Sequence, residues 1–385
     1  MRANRNHIDL STLIAVLLLM VLSLGVVYSA SATWMMTKWG TNDRLLGIHA
    51  IKVLLGFLAL FVFMQIDYTV YQKISKPMLI AAIGLLVLTL AFGGEANGAR
   101  RWLQLGGLSF QPSDFAKFAL ILHLSVMMAA KGEQMRDFKR GFLPGMVWIC
   151  LTAGLVLLQP NRSTGTIIFL LGLMLLFLGG ARPLHIGLTL GSALPVLTAY
   201  LVAAKYGMQR VVIYLHGINN VEAMGYQLKQ GLIGFGSGGI FGLGPGNSRQ
   251  RDLFLPESYG DFVFSILGEE YGLIGTLFIM GLFVLILARG LRIARHTPDP
   301  FGRFLAVGIA LSVAVYALVN AGVTLGILPT TGVPMPFVSY GGTSMIFSCA
   351  AVGVLLNISM HTDLYPRMRN TAPAAPLPAR EQVYK

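Results

Sequence analysis

The stretch 8-IDLSTLIAVLLLMVLSLGVVYSASAT-33 has a single charge, Asp9, at its start, and none from Leu10 to Thr33. At 1.5 Å per residue a helix of that length crosses the roughly 30 Å hydrocarbon core of a bilayer. Arg2 and Arg5 precede it. The apolar run is too long for a signal-peptide core and ends without a convincing cleavage site, so it reads as a first membrane span.

The same pattern recurs along the chain. Further apolar runs fall near 46–66, 77–93, 112–130, 141–159, 163–181, 184–204, 261–288, 303–327 and 337–360. The composition agrees. Of 385 residues, 55% are hydrophobic and only 12% charged, with mean hydropathy +0.68. Soluble domains are nearer a quarter charged, at about 25%. A water-soluble enzyme, a disordered chain and a nucleic-acid-binding protein are all argued against. The expected fold is all-α, a polytopic membrane protein of about ten transmembrane helices.

The net charge of +13 is then a matter of topology rather than of nucleic acid. With the N-terminus inside, the inner segments collect 17 Lys and Arg and the outer ones 10. Both termini are therefore expected in the cytoplasm, with the protein multi-pass in the membrane. Residues 1–366 form the transmembrane domain, and 367–385 read as a disordered cytoplasmic tail. Between helices 7 and 8 lies a large extracytoplasmic loop, about 205–260. It is apolar in parts and rich in glycine (231-GLIGFGSGGIFGLGPG-246), so it is expected to be structured and packed on the bundle. Gly234, Gly236 and Gly239 match G-x-G-x-x-G by spacing. No strand-turn-helix unit surrounds them, so close packing or a tight turn is the expected use.

Cys150 and Cys349 sit in apolar stretches and read as small buried hydrophobes. The seven histidines are scattered, with no zinc spacing. No Walker A or G-x-S-x-G motif occurs. Ionisable groups inside spans are costly and mark function by default. They are Lys52, Asp114, Lys117, Glu269 and Glu270, with Asp261 opening the eighth span. In the orientation above all of them fall in the outer half of the membrane. That suggests a polar cavity open to the outer leaflet. Eight helical steps separate Asp261 from Glu269, about 80° around a helix, so both could border that cavity. Asp114 and Lys117, at i and i+3, could pair. Plainer uses stand beside these: a structural ion pair for Asp114 and Lys117, hydrogen bonding to loop backbone for the glutamates, and helix capping for Asp261.

Four stretches carry a resemblance: 98-GARRWLQLGGLSFQPSDFAK-117, 225-GYQLKQGLIGFGSGGIFGLGPGNS-248, 255-LPESYGDFVFSILGEEYGLIG-275 and 320-NAGVTLGILPTTGVPMPFVSYGGTS-344. Together they resemble the shape, elongation, division and sporulation (SEDS) family of FtsW, RodA and SpoVE. The likeness spans nearly the whole chain. The G-A-R-R-W form and the M-P-F-V-S-Y-G-G-T-S ending look more like FtsW than RodA.

The resemblance implies a peptidoglycan glycosyltransferase. Such an enzyme polymerises lipid II, carried on undecaprenyl pyrophosphate, at the outer face of the membrane. It works beside a class B penicillin-binding protein and other divisome proteins. The family's essential aspartate maps onto Asp261 of D-F-V-F, its Arg-Trp onto Arg101 and Trp102, and its P-S-E…K onto Pro112, Ser113, Asp114 and Lys117. Three positions depart from the pattern. Asp114 stands for the usual Glu, Gly260 for the usual Thr, and Asn161 for the frequent Asp.

The implied reaction joins a sugar hydroxyl to an anomeric carbon and expels a lipid pyrophosphate. Asp261 would be the general base. Lys52, Arg101, Lys117, Arg210 and Arg249 are cations that could offset the pyrophosphate, as could a divalent cation, Mg or Mn. No organic cofactor is expected. Trp102 could stack on a sugar. Asp114, Glu269 and Ser339 complete the candidate substrate-binding set, with Ser339 shaping the cavity wall. The rival readings are a lipid II flippase or other transporter, a RodA-type elongation polymerase, and a non-catalytic scaffold. A transport path would need polar groups through the full depth of the bundle, whereas the charged ones lie in one half.

Overall fold

A buried ion pair and a hydrogen bond tie the start of the first helix to two distant later ones. Asp9 caps α1 (Leu10–Trp39), its Oδ1 accepting from the Thr12 N–H at 2.9 Å. Its Oδ2 accepts from Arg289 Nε and Nη2 at 2.9 and 2.7 Å. The Asp9 N–H donates to Ser359 Oγ at 3.0 Å. Three chain segments far apart in sequence therefore meet at the end of the bundle that holds the chain termini.

The computed structural model describes residues 7–40, 44–96, 99–105, 108–203, 212–217, 220, 223–252 and 254–364. After α1 come α2 (Arg44–Gln65) and α3 (Tyr68–Phe92). A short meander follows, β1 (Gly94–Ala96), β2 (Ala99–Leu105) and β3 (Leu108–Phe110), paired antiparallel in that order. Next are α4 (Pro112–Lys131), α5 (Leu143–Leu158), α6 (Arg162–Leu178), α7 (Pro183–Ala203) and α8 (Tyr226–Gly238). The chain closes with α9 (Val263–His296), α10 (Pro300–Thr324) and α11 (Gly342–Ser359). Helices stand at all ten expected stretches, and among the described residues eight are long and apolar enough to cross a membrane. α6 is a shorter apolar helix. Arg210 and the tail 367–385 lie outside the described residues.

Several boundaries differ from the sequence reading. The third span starts at Tyr68 rather than 77, because Asp67 caps it and Pro77 is accommodated inside. The tenth starts at Gly342 rather than 337. Residues 335-MPFV-338 are apolar enough to read as span, but Pro334 and Pro336 supply no N–H for a helical ladder. The three-strand meander was not expected. Cys349 is buried, whereas Cys150 lies exposed on α5.

Burial sorts the helices. The best apolar windows of α4, α10 and α11 are 72%, 67% and 78% buried, while that of α2 is 22%. The first three form the centre, and α2 turns Ile51, Leu54, Leu58 and Phe61 outward, as a lipid-facing helix does. The inner face of α2 lies close along α11: a Cβ on Gly353 would stand 2.4 Å from the Leu60 carbonyl oxygen.

The glycine-rich loop folds back on α9. Gly231, Gly234 and Gly238 are the small positions of α8 that meet it, Gly238 so closely that a Cβ would lie 2.0 Å from the Gly268 carbonyl. Helix α9 is broken at Gly272, with φ 64° and ψ −163°. The break leaves backbone groups that an apolar setting would penalise, and the loop satisfies them. Leu243 and Gly244 N–H donate to the Glu269 and Glu270 carbonyls at 2.9 and 3.0 Å. In return Leu273 and Ile274 N–H donate to the Gly239 and Ile240 carbonyls at 2.9 and 3.2 Å.

Candidate functional site

The segment 331–343, non-helical up to Gly341 and entering the first turn of α11, is the hub that the candidate residues share. Its first anchor is Asn320 of α10. The Asn320 Nδ2 donates to the carbonyls of Asp261 and Val333, both at 2.8 Å. That one amide fixes the segment against the turn that precedes α9. Asp261 sits in this turn, half-buried, one residue before the Phe262 N-cap. Gly332 lies behind its carboxylate: a Cβ there would be 3.2 Å from Oδ2.

Further along, the segment makes a tight turn. Ser339 Oγ accepts from the Met335 N–H at 2.8 Å, and Phe337 between them is buried with φ 62°. A non-glycine residue held in that region marks a strained and over-determined backbone. Ser339 is 2% exposed, so its hydroxyl shapes the turn and does not face an open cavity.

Tyr340 follows. Its N–H donates to the Tyr259 carbonyl at 2.9 Å, and its ring meets that of Tyr259 edge-on at 5.7 Å. The Lys52 ammonium lies over the Tyr340 ring, 3.6 Å from its centroid. Burial first, then the nearby Glu257 and Tyr340, push the Tyr259 phenol up to about 12, so it stays a neutral donor. The meander docks next: Trp102 covers Gly342, where a Cβ would be 3.4 Å from the indole. Arg101 reaches the Pro160 carbonyl at the α5–α6 turn.

Thr343 closes the segment. Its Oγ1 accepts from the Gln111 N–H and donates to Asp114 Oδ2, both at 3.1 Å. Asp114 and Lys117 are buried, and the expected ion pair between them is not formed. The Lys117 ammonium lies instead over the Tyr316 ring, 3.8 Å from its centroid. The two line a cavity of about 20 Å³ with Pro336, Ser312 and Ser348. That volume holds about one water, so in this conformation they support the segment from beneath and touch no sugar.

Of the two uses read for Glu269, the structure shows the plainer one, hydrogen bonding to the loop. The wheel from Asp261 fails because α9 begins only at Val263. The Glu269 carboxylate accepts from the hydroxyls of Ser237 and Ser248 and from the N–H groups of Arg249 and Gln250. Glu270 accepts from Ser29 Oγ of α1. Both clamp the loop rather than border the Asp261 site. Arg249 is engaged through its backbone, with its guanidinium exposed. The contributors not singled out in the sequence are Asn320, Tyr316 and Thr343, while Tyr340, read with Ser339 as shaping the cavity wall, also holds Lys52. A lone Asn in an apolar span was the available signal for the first; Tyr316 and Thr343 are uncharged and silent.

Among the described residues no three His, Cys, Asp or Glu side chains gather as a metal cage. A divalent ion at Asp261 would have to take most ligands from substrate phosphates, as Mg does.

Comparison with known proteins agrees with this arrangement. Residues 9–364 match the family model described as cell cycle protein, FTSW_RODA_SPOVE. The chain is 38% identical over 363 residues to the probable peptidoglycan glycosyltransferase FtsW of Trichlorobacter lovleyi, covering 93% of this chain and 94% of that one. It is 36% identical over 364 residues to stage V sporulation protein E of Bacillus subtilis, covering 94% and 100%. Among solved structures it resembles a chain of a peptidoglycan synthase complex that coordinates polymerization and crosslinking, with TM-score 0.75, 26% identity and 91% and 97% coverage. It also resembles the rod shape determining protein RodA of Thermus thermophilus, with TM-score 0.67, 27% identity and 91% and 96% coverage. From the helical bundle to the segment that gathers the candidate residues, this chain belongs to the FtsW/RodA/SpoVE family of cell cycle proteins, on its FtsW-like side.

Proposed function

We propose that this chain is a peptidoglycan glycosyltransferase that polymerises lipid II at the outer face of the bacterial inner membrane, for septal division. Its relatives' names support the activity. The observation that carries the site is the 331–343 segment. It holds Asp261 through Gly332 and Asn320, Lys52 through Tyr340, and Trp102 through Gly342. A carboxylate, a cation and an indole thus share one end of the bundle.

The chemistry follows from those three groups. Asp261 takes the proton of the attacking sugar hydroxyl as the oxygen bonds to the anomeric carbon. The bond from that carbon to the pyrophosphate oxygen breaks, and the lipid pyrophosphate leaves with the electron pair. Lys52 and Arg101 offset its charge. The apolar outer faces of the helices admit prenyl chains from the side.

The excess of Lys and Arg on the segments shared with the termini supports cytoplasmic ends and an outward-facing Asp261. A class B penicillin-binding protein as partner is supported by the likeness to the synthase complex.

The test is polymerisation of lipid II by purified protein in detergent, where no two-sided membrane exists. The unaltered protein gives glycan strands, and Asp261→Asn loses about 10²- to 10⁴-fold in rate, the usual contribution of a general base. Full activity of the folded variant removes Asp261 as the base. No product from the unaltered protein, with lipid II crossing sealed vesicles, favours the flippase.

A further inference from the structure

Lys52 is a cation without a carboxylate. It lies on α2, half-buried, and among the described residues no ion pair within 4.0 Å includes it. Lys38 and Arg44 also lie over rings, of Trp34 at 4.7 Å and Trp39 at 4.1 Å, but both are exposed; the less exposed cations differ. Arg289 is neutralised by Asp9, Arg251 has Asp252 at 3.8 Å, and Lys117 has Asp114 one turn away. Lys52 is held by a π face alone. A ring quadrupole fixes an ammonium in place without cancelling its charge. The full charge therefore remains for an anion from outside.

Tyr340 is itself held from three sides. Its N–H is bonded to the Tyr259 carbonyl. Its ring lies 5.7 Å from those of Tyr259 and His49. His49 is fixed in turn by Ser23, 3.1 Å from Nε2. Tyr259 stands two residues before Asp261. The residue whose ring sets Lys52 is thus hydrogen-bonded through its N–H to the turn that carries the carboxylate, so cation and base share one frame.

We infer that Tyr340 is a positioning residue, whose ring aims the Lys52 ammonium at the pyrophosphate of the lipid-linked sugar. This rests on the function proposed above and adds the residue that sets where the anion binds. The hydroxyl of Tyr340 has no part in it; the face does.

Two measurements on the purified full chain test this. One is the KM and kcat for lipid II polymerisation. The other is direct binding of undecaprenyl pyrophosphate, which needs no turnover. Lys52→Met and Tyr340→Leu each raise KM and the dissociation constant by about 2- to 30-fold, the range of a cation–π contact, with kcat changed less. Tyr340→Phe keeps the face and restores most of the affinity lost in Tyr340→Leu. The double variant Lys52→Met/Tyr340→Leu is no worse than Lys52→Met, because the two act as one unit. Thermal unfolding confirms that each variant is folded, and Lys52→Met carries the test if Tyr340→Leu is not.

Unchanged affinity in folded Lys52→Met overturns the inference, as does a Tyr340→Phe variant no better than Tyr340→Leu, or multiplying effects in the double variant. If the unaltered protein makes no glycan, the function reading falls and the binding arm alone decides. Salt-sensitive undecaprenyl pyrophosphate binding lost in Lys52→Met and Tyr340→Leu and kept in Tyr340→Phe upholds the subsite. Equal binding by all four proteins removes it.

Discussion

Gly332 stands directly behind the Asp261 carboxylate, with room for a hydrogen and no more: a Cβ would come within 3.2 Å of Oδ2. Gly332 is exposed and its φ is not positive, so the constraint is space rather than backbone conformation. Gly332→Ala is expected to move the carboxylate by a few tenths of an ångström and to lower kcat by about tenfold with little change in KM, since small misplacements of reacting groups are costly. Steady-state kinetics with lipid II measure both. An unchanged kcat would mean that the position of this carboxylate does not limit the reaction.

Thr343 makes a different kind of contribution. Its single hydroxyl serves both Gln111 and Asp114. Thr343→Val leaves a buried carboxylate and a backbone N–H without that partner, at about 1–3 kcal/mol for each group. Thr343→Ser keeps both bonds and is expected near the unaltered stability. Thermal unfolding in detergent ranks the three proteins, and equal midpoints for Val and Ser would remove the bridge from the account.

Glu269 accepts four hydrogen bonds from the loop. In Glu269→Gln, one carboxylate oxygen becomes an amide NH2, which donates and cannot accept. The expected outcome is a loss of about 2–4 kcal/mol, as for a broken buried network with charged acceptors. Hydrogen exchange across 243–250 should rise before the rest of the bundle opens. Activity falls only as far as the loop loosens. A variant that is inactive yet fully protected in the loop would instead place Glu269 in the chemistry.

At the opposite end, Arg289→Met strands the Asp9 carboxylate, which is 0% exposed. Removing one partner of a buried pair costs about 3–5 kcal/mol. The midpoint of unfolding should drop, while polymerisation per folded molecule stays as before. Loss of specific activity in folded protein would show that the two ends of the bundle are coupled.

The apolar runs made the bundle readable, because a bilayer demands long uncharged helices and little else produces them. What stayed hidden depends on partners that sequence does not display. Composition cannot separate 335-MPFV-338 from a span; only Pro334 and Pro336 hint at the break. Asp261 stood out as a charge at a span's mouth, and the structure brings it to the segment that also holds Lys52. Glu269 stood out for the same reason, yet its oxygens are taken up by Ser237, Ser248 and two backbone groups of a distant loop. An ionisable residue in an apolar helix announces that it has a partner, and says nothing of which one. Tyr316, being neutral, announces nothing, and Asn320 shows itself only as a lone amide in an apolar span.

Helix α7 differs from its neighbours in how little of it is covered. Leu184, Leu188 and Leu194 are 67%, 64% and 66% exposed, and His185 fastens its first turn through aromatic contacts with Phe138 and Phe142. In a bilayer, acyl chains would solvate most of its circumference. A thinner or thicker membrane can then be met by changing the tilt of this one rod about its fastened end, at a fraction of a kcal/mol per ångström of mismatch. The frame that carries Asp261 and Lys52 would be spared the strain.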